Sequence, residues 1–150
     1  MQRSEVAQAL AEAFWNGWIP TELTQDYLEA LEMSAMGPPA YEELKGLVAE
    51  WELQAISMTA LTAQVSSLGE SFQAAAARAN QVAEPDELTT RYLLYALREA
   101  LRAISLACDA IIKSVQAMHG GALQDALESA RMATGVLQDI YAGTHFEEDD

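Results

Sequence analysis

From Leu44 to Val82 apolar residues recur in alternating steps of three and four: Leu44, Leu47, Trp51, Gln54, Met58, Leu61, Val65, Leu68, Phe72, Ala75, Ala79 and Val82. Gln54 is the one polar member, and no proline interrupts the run. A stripe of that period is what a helix needs to pack along a seam. Residues 40–83 therefore read as a single helix, about 65 Å long at 1.5 Å per residue. Beside the seam, Val48, Ala55, Thr62, Gly69, Ala76 and Ala83 recur every seventh residue. Their small size invites close approach by another helix. The 3-4 pattern returns in Leu94, Leu97, Leu101, Ile104, Cys108, Ile111, Val115 and Met118, and again in Leu123, Ala126, Ala130, Ala133, Leu137 and Ile140.

The punctuation between these runs sets the elements. Glu84-Pro85-Asp86-Glu87 closes the first run and opens the second, with Pro85 suited to a first helical turn. His119-Gly120-Gly121 stops the second run, and Gly143 the third, leaving 144–150 as an acidic tail. Upstream, Ser4 can cap a helix over 5–16 whose face carries Val6, Leu10, Ala13 and Phe14. Asn16-Gly17-Trp18-Ile19-Pro20 breaks it, and a second helix spans 22–35 until Gly37-Pro38-Pro39.

The expected fold is all-α: an elongated antiparallel helical bundle of about five helices with one very long central helix. Residues 1–143 form one domain, a hairpin over 1–36 followed by a three-helix bundle over 40–143. Folding about residues 84–85 sets Trp51 opposite Met118, Leu61 opposite Cys108, Val65 opposite Ile104 and Phe72 opposite Leu97. Folding about Gly120-Gly121 sets Cys108 opposite Ala133 and Ile104 opposite Leu137. Residues 72–97 are left as a two-helix tip lacking a third helix, to be covered by the N-terminal helix, by a partner or by a second copy.

Composition narrows the functional classes. The chain has 150 residues and a net charge of −15, with 23 acidic against 8 basic residues. Such a surface opposes direct nucleic-acid binding and anionic membranes, and suits a protein partner that is itself basic or nucleic-acid-binding. Between Leu53 and Ala77 the only charge is Glu70, which places that stretch inside the bundle or in an interface. No apolar run is long enough for a membrane span. A cytoplasmic protein is expected, with Cys108 as a small buried hydrophobe.

The parts of an active site are missing from the pattern. His119 and His145 are the two histidines, and neither follows a Glu by three residues as a di-metal bundle site requires. Phosphate-binding glycine loops and a G-x-S-x-G elbow are absent. His119, at a helix C-terminus, suits the dipole there. No cofactor or metal is expected. The expected function is that of a non-enzymatic protein, such as an adaptor, an immunity-like protein or an inhibitor, that binds a macromolecular partner. Phe72, Tyr92 and Tyr95 with Glu84, Asp86 and Glu87 are the expected contact residues. Alternatives are a nucleic-acid mimic of the anti-defence (anti-CRISPR-like) kind and an oligomeric structural subunit or assembly chaperone, with 72–97 as the self-association surface.

Overall fold

The computed structural model describes residues 25–84, 86 and 88–144. The predicted helix over 5–16 and the acidic tail lie outside them, as do Trp15, Trp18 and Glu87. Helix α1 spans Gln25–Glu32 and passes through a 3-10 turn, Met33–Met36, into α2, Gly37–Glu52. Three longer helices follow: α3, Met58–Asn80; α4, Leu88–Gln116; and α5, Gly120–Thr144. The described residues contain no strand. Four helices, α2 to α5, pack against each other, α4 lying between α3 and α5 while α2 lies against α5 and α3.

The single helix expected over 40–83 is two. α2 ends in paired bonds in which the Gln54 N–H donates to the Trp51 carbonyl and the Ala55 N–H to the Glu50 carbonyl. Gln54 takes the left-handed conformation, φ 64°, that this helix ending demands. Ser57 then caps α3, its Oγ accepting the Ala60 N–H at 3.0 Å. Glycine usually fills the left-handed position, and a glutamine there carries no sequence signal. Gln54 is therefore not a member of a packed seam but an exposed corner.

The same ending recurs after α4. The Met118 N–H donates to Val115 and the His119 N–H to Ser114, with Met118 at φ 56°. Met118 is thus exposed in the turn rather than layered against Trp51. The His119 backbone closes α4, but its imidazole serves the next helix. Its Nδ1 accepts the Ala122 N–H at 2.9 Å, capping the start of α5, whose first turn contains Gly120 and Gly121. Gly37-Pro38-Pro39 likewise opens α2 instead of separating it, because prolines in a first turn forfeit no helical bond.

The antiparallel arrangement of α3 and α4 holds, but the expected register slips. A side-chain carbon on Gly69 would lie 3.1 Å from the Cys108 Cβ, and Ser105 Oγ donates to the Gly69 carbonyl at 3.2 Å. Gly69, not Leu61, is the neighbour of Cys108, about two helical turns along the axis. A strict 3-4 seam matches another equally well after a shift of one heptad, so pattern alone cannot choose. Arg98 makes the choice visible. Its Nε donates to the Ala79 carbonyl at 2.8 Å and its Nη2 to the Val82 carbonyl at 2.6 Å, drawing residues 81–84 back along α4.

The first two turns of α4 therefore run past the end of α3, and α1 covers them. α1 packs on α3, α4 and α5, and Glu29, Ala30 and Met33 sit beside Arg78, Gln81 and Val82. The expected two-helix tip has intrachain cover, and Leu93, Leu94 and Thr90 are buried there. α2 runs antiparallel to α5. A side-chain carbon on Gly37 would lie 2.9 Å from the Leu137 Cβ, so only glycine lets the two helices meet this closely. The core of 40–143 thus has four helices rather than three.

Candidate functional site

Two open clefts flank α4, and their chemistry differs. The first, about 370 Å³, lies between α3 and α4. Gly69 and Ala76 keep its floor low, and Glu70, Gln73, Arg102 and Asp109 make its walls polar. Cys108 lies at its base but is 1% exposed. Burial, reinforced by the neighbouring Asp109 carboxylate, pushes the thiol up to about 11 from 9.0. A thiol so protonated is a poor nucleophile at neutral pH. Among the described residues no group of three or more His, Cys, Asp and Glu side chains is arranged to hold a metal ion.

The second cleft, about 440 Å³, is an apolar groove between α4 and α5. Its floor is built from small residues four apart on α4, Ala96 and Ala100, with Ala103 and with Ala133 of α5. Methyl-sized side chains hold the helices together while leaving the groove open. Large side chains stand at its rim: Tyr92, 55% exposed, on α4, and Met132, 62% exposed, and Val136 on α5. Glu99 and Ser129 are its polar members, and no Lys or Arg lines it. Asp125 and Asp139 precede and follow Ser129 and Val136 by a helical turn, on the same stripe of α5.

The expected contact residues divide. Tyr92 lines the groove, and Tyr95, 59% exposed, stands on the same side of α4 one turn on. Phe72 does not join them: it is 1% exposed, a residue of the hydrophobic core. Glu84 is exposed and pairs with Arg98 Nη1 at 3.2 Å, and the Asp86 carbonyl accepts from Arg91. Both belong to the α3–α4 connection rather than to the groove. Glu87 lies outside the described residues.

Met132 and Val136 are not among the expected contact residues, because they flank the 3-4 seam of α5 rather than lie on it. Their signal was present: two large apolar residues four apart, off the buried seam, in a helix already assigned. Among the described residues no helix is long and apolar enough to cross a membrane. Comparison of the chain with known protein families, with curated proteins and with solved structures gives no match.

Proposed function

We propose that the protein is a non-enzymatic, cytoplasmic interaction protein that takes an amphipathic helix of a basic partner protein into the groove between α4 and α5. The observation that carries this reading is the groove itself: an apolar floor of alanines rimmed by exposed Tyr92, Met132 and Val136. A helix laid into a groove buries one large side chain per turn, and exposed aromatic and methionine side chains adapt well to such guests. Charge selects the flanks of that helix. The groove has Glu99 and no cation along its lining, in a chain of net charge −15. A guest with Lys or Arg beside its apolar face gains from that field, and an acidic guest is repelled.

The test is capture of the partner from native cell extract, its identification, and direct titration of its isolated helix. Tyr92→Ala and Met132→Glu are expected to weaken that titration at least about tenfold each. Leu106→Glu, on the polar cleft and 55% exposed, should leave it unchanged. Equal affinity for all three variants would sink the groove as the binding site.

A further inference from the structure

The break between α2 and α3 lies inside a hydrophobic pattern that does not break. Leu44, Leu47 and Trp51 precede it and Met58, Leu61 and Val65 follow it in unbroken 3-4 steps. Between Gly46 and Gly69 there is no proline or glycine. The corner depends on Gln54 at φ 64°, a conformation in which its Cβ crowds the backbone, and on the one cap from Ser57. Leu53 is 80% exposed, and Ile56 is the one residue of 53–57 that packs against the core.

We infer that residues 53–57 are a hinge, and that two copies of this chain exchange α1 and α2 by straightening α2 and α3 into one helix. The geometry of the monomer permits the exchange without new contacts. α4 runs antiparallel to α3, through Arg98 to Ala79 and Ser105 to Gly69. α5 returns in the direction of α3, and α2 lies antiparallel to α5, with Gly37 against Leu137 and Tyr41 near Arg131. The slot beside α5 thus accepts a helix running opposite to α3. Straightening sends a chain's own α2 away from that slot, along the line of α3. A second copy related by a two-fold axis through the hinge, perpendicular to α3, carries its straightened helix opposite to the first α3. Its α2 therefore enters the vacant slot in the direction the slot requires. Gly37 meets Leu137 of the other copy, and the contacts of α2 with α5 and α3 are remade between chains, as in other domain swaps.

The hinge is tested by changing its two local determinants and reading mass and distance together. Gln54→Gly relieves the left-handed corner and should hold the monomer. Gln54→Ala with Ser57→Ala removes the cap, favours helix through 53–57 and should favour the exchanged dimer. Light scattering across a concentration series up to millimolar is expected to show a dimer dissociation constant lowered at least about tenfold in the double variant and raised in Gln54→Gly. Spin labels at Lys45→Cys and Gln64→Cys in a Cys108→Ala background, diluted with unlabelled chain, report the intramolecular separation. It should move from the short distance of the folded corner to about 29 Å in the dimer, the span of 19 helical residues. Monomers throughout for wild type and double variant would overturn the inference. So would a dimer in which the labels stay close, since that is ordinary association. Should the double variant fail to fold, wild type and Gln54→Gly decide: equal dissociation constants, or no dimer in either, also overturn it.

Discussion

Cys108 sits where α3 and α4 come closest, and the glycine opposite makes room for it. Its burial, followed by the neighbouring Asp109 carboxylate, raises its pKa to about 11. In the unfolded chain the same thiol ionises near its ordinary value of 9.0. Below pH 8 both states keep the proton and the group adds no pH dependence. As pH rises from 9 to 11 the unfolded chain loses a proton that the fold retains, so stability falls. A rise from 9.0 to about 11 sets the scale at roughly 2–3 kcal/mol. Urea unfolding of wild type and Cys108→Ala across pH 8 to 11 isolates this effect, because tyrosines and lysines titrate in both. The wild type should lose about 2 kcal/mol relative to the variant over that range. A difference that stays constant with pH would show that the thiol ionises as readily in the fold as outside it.

Helix faces were legible in the sequence, as were the breaks between α3 and α4 and between α4 and α5, but the corner between α2 and α3 was not. Every seam residue from Leu94 to Val115, and every one from Leu123 to Ile140, is buried as the 3-4 steps require. Periodicity reports a face averaged over many residues, and one residue cannot hide it. The ends at Gln54 and Met118 depend on one backbone conformation each, adopted by residues with no preference for it. The α3–α4 register was illegible for another reason: the heptads match in more than one alignment, and the choice falls to a side chain, Arg98, nineteen residues from the carbonyl it holds. The groove was half legible, through Tyr92 on α4, because an exposed aromatic stands out while Met132 and Val136 blend into an apolar helix. Arg98 also supplies what the end of α3 needs. Helix C-terminal carbonyls lack partners, and its guanidinium spans those of Ala79 and Val82 together with the Glu84 carboxylate. A lysine ammonium is a point charge and cannot reach both carbonyls in that fork. Arg98→Lys is therefore expected to cost about 2 kcal/mol, most of the cost of Arg98→Ala. Glu84→Ala, which removes only the exposed arm, should cost under about 1 kcal/mol. A urea midpoint for Arg98→Lys equal to wild type would mean that charge alone, not the fork, closes the helix.

At the scale of the whole molecule, the surplus of negative charge works against the fold. The chain carries a net charge of −15 on 150 residues. The recorded ion pairs, Lys45–Glu42, Arg98–Glu84 and Arg131–Glu128, each have at least one partner more than half exposed, so each offsets at most about 1 kcal/mol. Unfolding moves the charges apart and relieves their repulsion. Screening by salt does the same without unfolding, as the Debye length drops from about 30 Å at 0.01 M to about 10 Å at 0.1 M. The balance predicts a bundle that gains stability with sodium chloride, since long-range repulsion among many charges is screened more completely than the few close pairs. A gain of about 1 kcal/mol corresponds to a rise in Tm of roughly 2–4 °C. Glu42 stands in an exposed pair with Lys45, whereas Glu43 and Glu50 are exposed on α2 seven residues apart. Glu43→Gln with Glu50→Gln should therefore raise Tm at low salt and flatten its salt dependence, and Glu42→Gln should do so less. Thermal melts from 10 to 300 mM sodium chloride decide it. A Tm that falls with salt would show that local pairs, not net charge, govern the surface, and the field argument for a basic guest in the α4–α5 groove would weaken with it.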